Sequence, residues 1–210
     1  MTGDYLRDPT EIYAQSFATI RAEADLSGVP EVLQDVVVRM IHACGIVDIV
    51  PDIRWGGEVA AAVEFALVEG APVLCDCEAV RAGIAAKHLP AGSELVVTLN
   101  QPEVAELARR LATTRSAAAV ELWRPRLKGA IVVIGNAPTA LFHLLDLLNA
   151  GGDRPAAIIA VPVGFVGAAE SKAFLTIDQH GVPFLTLLGR RGGSAIAAAA
   201  LNAIARGIGS

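Results

Sequence analysis

The chain has 210 residues, 53% of them hydrophobic and 19% charged, and a formal net charge of −5. That length fits one domain able to bury a core without disulfides or metals, and the acidic balance argues against a nucleic-acid binder, which needs a basic surface. No apolar run nears the ~18 residues of a membrane span, and the polar start Met-Thr-Gly-Asp lacks a signal-peptide core, so a soluble cytoplasmic protein is expected, with surplus apolar surface buried in an oligomer interface.

The first roughly 70 residues read as three helices. Pro9 and Thr10 open the first, in which Ile12, Tyr13, Phe17 and Ile20 fall at helical spacing. Ser27-Gly28-Val29-Pro30 stops it, and a second helix starts at Pro30-Glu31 and ends near Gly45. A third runs from about Gly57 to Glu69 and closes at Gly70. Strands and helices then alternate. Short apolar runs at 72–75, 94–98, 130–134, 156–161 and 184–188 read as strands buried on both faces. Helices are predicted over about 77–87, 103–123, 138–149, 167–176 and 194–206. The pattern predicts a single α/β domain over 1–210. It is a three-layer sandwich with a five-stranded, mainly parallel, flavodoxin-like sheet and an N-terminal helical segment.

Three strand ends lead into small, glycine-rich loops: Gly-Asn-Ala-Pro-Thr-Ala (135–140), Pro-Val-Gly-Phe-Val-Gly (162–167) and Gly-Arg-Arg-Gly-Gly-Ser-Ala (189–195). In open α/β sheets ligands bind beyond the carboxyl ends of the strands, where backbone amides approach anions. Tight turns alone explain any one of these loops equally well. No dinucleotide or P-loop fingerprint and no Gly-x-Ser-x-Gly elbow occurs. Cys75-Asp-Cys77 has no partner pair that completes a zinc site, so buried thiols are expected and no metal is assigned.

His42 is the strongest chemical candidate among four histidines, because imidazole titrates near neutral pH. On the second helix Val36, Val37, Met40, Ile41 and Cys44 form an apolar arc, and Arg39 and His42 fall together outside it, about 60° apart at 3.6 residues per turn. One can hold an anionic group while the other moves a proton; an ordinary surface Arg–His pair fits the same pattern. His88, His143 and His180 read as cap, core-edge or loop residues. Arg115, beside Ser116 and Ala117–Ala119, can reach a carboxylate bidentately or simply lie on the surface.

The segments Ile-Tyr-Ala-Gln-Ser-Phe-Ala-Thr-Ile-Arg-Ala-Glu (12–23), Arg-Met-Ile-His-Ala-Cys-Gly (39–45), Thr-Arg-Ser-Ala-Ala-Ala (114–119), Ile-Gly-Asn-Ala-Pro-Thr-Ala-Leu (134–141), Pro-Val-Gly-Phe-Val-Gly-Ala-Ala-Glu-Ser-Lys (162–172) and Gly-Gly-Ser-Ala (192–195) jointly resemble the precorrin-8X methylmutase family of cobalamin biosynthesis. The resemblance covers nearly the whole chain. It implies a flavodoxin-like homodimer that binds a tetrapyrrole at its interface. The implied activity is an isomerase moving a methyl group from C-11 to C-12 of precorrin-8X to give hydrogenobyrinate, with no added cofactor. His42 matches the family's catalytic histidine, implied to protonate or hydrogen-bond to the macrocycle. Ser16 and Arg39 match substrate-contacting positions, and Arg115 an arginine near the substrate. Two other readings stay open. One is a corrinoid carrier that holds hydrogenobyrinate without turnover, and the other a nucleotide- or phosphometabolite-binding enzyme using the glycine loops.

Overall fold

The computed structural model describes residues 5–177 and 181–208, so His180 lies outside the described residues. Asp8 caps α1 (Pro9–Glu23): its carboxylate accepts from the Glu11 amide at 2.8 Å, and Pro9 fills a first-turn position where no amide donor is needed. α1 packs on α2 (Glu31–Cys44), which buries Leu33, Val36, Val37, Met40 and Ile41. Gly45 ends α2 in the left-handed conformation at φ +69°, donating its amide to the Ile41 carbonyl at 2.7 Å. A 3₁₀ turn, Val47–Asp52, then leads into the sheet, and α3 (Val59–Val68) completes the N-terminal helical segment.

Among the described residues the sheet has six strands: β1 (Ile53–Gly56), β2 (Val73–Cys75), β3 (Leu95–Val97), β4 (Ile131–Ile134), β5 (Ala157–Ala160) and β6 (Phe184–Leu187), in the order β1-β6-β5-β4-β2-β3. All neighbours are parallel except β1 and β6, which pair antiparallel from Ile53 opposite Leu187 to Gly56 opposite Phe184. Counting β2–β6 as first to fifth, the order across the sheet is 2-1-3-4-5, the flavodoxin-like arrangement. Side chains alternate between two cores, as the period of two requires. Val73, Ile131, Val133, Ile159 and Leu185 face the core shared with α2, α3, α4 (Glu78–Gly83) and α9 (Ser194–Gly207). Leu74, Val132, Ile134, Ile158 and Phe184 face the other, built with α6 (Arg115–Glu121) and α7 (Pro138–Asn149). The remaining helices are α5 (Glu103–Arg110) and α8 (Ala168–Leu175).

The five expected strands are all present, and the sixth, β1, is an addition. Its sequence Ile-Arg-Trp-Gly buries only Ile53 deeply, because an edge strand has one neighbour and needs no continuous apolar run. The helix expected over 103–123 is two helices. Ala112 takes the left-handed conformation (φ +48°), and the Thr114 hydroxyl caps α6 by accepting from the Ala117 amide at 3.1 Å. The helix expected over 77–87 stops at Gly83, with a 3₁₀ turn at Ala86–His88.

The carboxyl edge of the sheet is closely packed. A Cβ on Gly192 would lie 2.1 Å from the Val161 carbonyl oxygen and 2.7 Å from that of Pro162, so only glycine lets the loop after β6 pass the end of β5. Gly192→Ala is expected to destabilise the protein by about 1–3 kcal/mol or more, because the obstacle is backbone. Urea denaturation measures it, and a midpoint equal to that of the wild type would contradict the packing described.

Candidate active site

α1 presents Tyr13, Ser16, Phe17 and Ile20 toward α2, at the i, i+3, i+4, i+7 spacing of one helix face. Ile20 is buried and anchors that face to the core. On α2 the buried arc turns His42 and Arg39 the other way, toward α1. Ser16 Oγ and His42 Nδ1 are 2.9 Å apart. When the ring is neutral with its proton on Nε2, the serine hydroxyl donates to Nδ1; when the ring is charged, Nδ1–H donates to the serine oxygen. Those two states leave Nε2–H as a donor, the neutral tautomer with its proton on Nδ1 leaves Nε2 as an acceptor, and Nε2 has no hydrogen bond to another described residue.

Aromatic rings fix the imidazole plane. Tyr13 stacks on it with centroids 5.5 Å apart and planes inclined by 28°, and Phe17 meets it edge-on at 5.2 Å. Phe17 also carries the Arg39 guanidinium 5.1 Å from its ring centre, so one ring places both the imidazole and the cation. Partial burial, and then the nearby Arg206 charge, push the Arg39 guanidinium down from its ordinary value, while Asp35 opposes them. Ser16 and His42 line a cavity of about 460 Å³ together with Leu6, Ile12, Ile20 and Ile41. A second cavity of about 500 Å³ adjoins it, sharing Glu23 and Val47.

Ser16, Arg39 and His42 therefore come together, whereas Arg115 does not join them. Arg115 opens α6 and donates to the Leu99 carbonyl at 3.1 Å. His143 Nε2 is 2.6 Å from Glu121 Oε1, a carboxylate held below its usual range first by Arg124 and also by His143. Cys75 and Cys77 are buried free thiols, and burial pushes Cys75 up to about 12. No cluster of three or more His, Cys, Asp or Glu residues suited to a metal occurs among the described residues.

The glycine-rich loops make internal hydrogen bonds along the carboxyl edge of the sheet. The Asp76 carboxylate, nearly enclosed, accepts from the amides of Gly135 at 3.0 Å, Asn136 at 2.9 Å and Ala137 at 2.8 Å. It occupies the anion position at the N-terminus of α7. Burial pushes the Asp76 carboxyl up, against the three amide donors. The other two loops are tied by Gly193 N–H to the Val161 carbonyl at 2.9 Å and Gly164 N–H to that of Arg190 at 3.2 Å. Sequence reasoning missed Asp76 and also Lys172, which is fully buried and donates to the Arg191 carbonyl at 2.6 Å.

An imidazole clamped by a hydroxyl and two rings at the mouth of a largely apolar cavity, on a flavodoxin-like sheet, is the geometry of an acid–base site on an α/β enzyme. The family model for precorrin-8X methylmutase matches residues 11–207. The chain is 55% identical to the precorrin-8X methylmutase of Pseudomonas aeruginosa, covering 96% of this chain and 97% of that protein. It is 35% identical to the cobalt-precorrin-8 methylmutase of Priestia megaterium, over 93% of this chain and 87% of that one. The crystal structure of precorrin-8X methyl mutase from Thermus thermophilus superposes with a TM-score of 0.84 at 36% identity, covering 94% of this chain and 95% of that chain. The chain belongs to the precorrin-8X methylmutase family, and it is an isomerase of cobalamin biosynthesis.

Two measurements follow. His42→Ala is expected to lower turnover about 10²–10⁴-fold, the usual worth of a positioned proton donor, and Ser16→Ala about 5- to 10-fold, the worth of one hydrogen bond. Both variants are expected to keep the wild-type circular dichroism; near-wild-type turnover of His42→Ala would remove it from catalysis. Burial pushes Lys172 down to about 8, with Asp52 opposing, below the ~10.4 of an unfolded lysine. The native state therefore binds fewer protons than the unfolded one across that interval, and stability contributed through Lys172 rises with pH there. The unfolding free energy of the wild type minus that of Lys172→Met should climb from pH about 8 to about 10.4; a flat difference contradicts this.

Proposed function

We propose that the protein converts precorrin-8X to hydrogenobyrinate by moving a methyl group from C-11 to C-12, with His42 as proton donor. The observation that carries this is the Ser16–His42 pair, 2.9 Å apart, in which Nδ1 is engaged by the serine and Nε2 is left for a substrate at the cavity. One carbon–methyl bond breaks as the other forms within the same molecule, so no outside electrons are exchanged. A proton or hydrogen bond given to the macrocycle lowers the barrier, and the isomer product returns it to the imidazole. Such transfer contributes about 10²–10⁴ in rate, and enclosure and orientation of the ring supply the rest. Ser16 orients the imidazole and touches substrate, and Arg39 holds a substrate carboxylate.

The same reading makes the protein a homodimer with its site at the interface. The His42 cavity of about 460 Å³ is open and small for a tetrapyrrole with its acidic arms, even with its neighbour. Tyr13 beside it is half exposed, and Phe165 and Val166 on the loop after β5 are 84% and 89% exposed. Arg115, apart from His42 within one chain, reaches the substrate from the second copy. Greater similarity to the relative named for precorrin-8X than to the one named for cobalt-precorrin-8 favours the metal-free substrate. The protein acts in the cytoplasm as a single domain over 1–210.

Purified protein supplied in parallel with precorrin-8X and cobalt-precorrin-8 tests the reading. Many turnovers per protein are expected, faster with precorrin-8X. Pigment taken up once per chain, with no methyl migration, would instead make it a carrier.

A further inference from the structure

The α1 wall of the His42 cavity carries polar groups that neither His42 nor the core uses. Ile12, Gln15, Ser16, Thr19, Ile20 and Glu23 line the cavity of about 460 Å³ in two adjoining rows, each repeating every fourth residue along the helix. The row of Ile12, Ser16 and Ile20 is engaged: Ile20 packs into the core, and Ser16 Oγ lies 2.9 Å from His42 Nδ1. The row of Gln15, Thr19 and Glu23 stands free at its first two positions. Gln15 and Thr19 are exposed, and their side chains make no hydrogen bond to another described residue. An amide N–H and a hydroxyl thus stand one turn apart, with Cβ atoms about 5–6 Å from each other, close enough to donate to one carboxylate. Glu23, next in the row, also lines the second cavity, where Asp25 and Asp48 join it. The wall therefore passes from neutral donors to carboxylates along α1, and an anion is favoured only at its Gln15–Thr19 end.

We propose that Gln15 and Thr19 together bind one carboxylate arm of the tetrapyrrole, on the flank of His42 away from Arg39. The assignment rests on the methylmutase reading above. Residues two apart on a helix point about 200° from each other, so Gln15 lies across α1 from both Tyr13 and Phe17, and Thr19 across from Phe17. Phe17 is the ring that carries the Arg39 guanidinium, 5.1 Å from its centre. His42 meets Phe17 on one side and lines the cavity on the other. Arg39 and the Gln15–Thr19 pair therefore take carboxylates on opposite flanks of the imidazole. A macrocycle held at two edges cannot turn about the His42 contact, so the pair helps to select which ring atoms face Nε2. Neutral donors suffice there, because a carboxylate acceptor makes the hydrogen bond charge-assisted. The arm is remote from the migrating methyl group, so its contact acts on binding more than on the chemical step.

The test uses the full-length protein, with hydrogenobyrinate titrated by its visible spectrum and KM and kcat measured for precorrin-8X. Gln15→Leu, Thr19→Val and Glu23→Gln are compared with wild type. All three positions are exposed, so the substitutions are expected to keep the wild-type circular dichroism. Gln15→Leu and Thr19→Val should each raise the product Kd and the KM about five- to tenfold, the worth of one hydrogen bond, with a smaller change in kcat. Glu23→Gln should act in the opposite sense, lowering both about two- to threefold, and its gain should shrink as salt is added. Kd and KM values within about 1.5-fold of wild type for both Gln15→Leu and Thr19→Val would overturn the pair while leaving the methylmutase reading intact. Weaker binding by Glu23→Gln would do the same, since the wall would then be accepting from the ligand. A wild-type protein that neither binds hydrogenobyrinate nor turns over precorrin-8X removes that reading, and the pair with it.

Discussion

The site depends on α2 being held from behind. Val37, Met40 and Ile41 are almost wholly enclosed against α9 and the sheet, so the helix cannot roll without exposing them. That constraint turns Arg39 and His42 outward. α1, itself anchored by the buried Ile20, then brings Tyr13, Ser16 and Phe17 against them. The placing of Ser16, Arg39 and His42 is thus a by-product of core packing on the opposite side of one helix. α9 can lie close because its inner face is mostly alanine, including Ala197, Ala198, Ala200 and Ala205.

The carboxyl edge of the sheet plays a different part from the one its glycines suggest. Asp76 supplies an internal anion to the α7 N-terminus, and Lys172 and Arg191 tie the last two loops together. Arg191 extends that tie to the 3₁₀ turn before β1 through Asp52 at 2.6 Å and the Asp48 carbonyl at 3.0 Å. The region braces the fold from within, and the His42 imidazole lies among the N-terminal helices.

Much of this was legible in the residues. Parallel strands such as Ile131–Ile134 are buried on both faces and announce themselves as apolar runs, whereas the edge strand Ile53–Gly56 has no such run. The break between α5 and α6 had a signal in Thr113-Thr114 followed by Arg-Ser, a cap inside an otherwise helical stretch. Helical periodicity placed Arg39 beside His42, because that relation is local. The Ser16–His42 contact joins residues 26 apart; family resemblance pointed to each residue separately, and their contact emerged only in the fold. Asp76 was hidden by the two cysteines around it, although a carboxylate directly after a buried strand and facing a small-residue turn is a readable pattern. Lys172 left no trace, since nothing in Glu-Ser-Lys distinguishes a buried ammonium from a solvated one.

A crystal structure of the complex with hydrogenobyrinate tests the central claim most directly. The account predicts the macrocycle against α1 and α2, with His42 Nε2 within about 2.6–3.2 Å of a ring atom near the migrated methyl group. Ser16 would remain on Nδ1 and a carboxylate would lie toward Arg39. A macrocycle seated over the glycine-rich strand ends, with His42 out of hydrogen-bond reach, would contradict it.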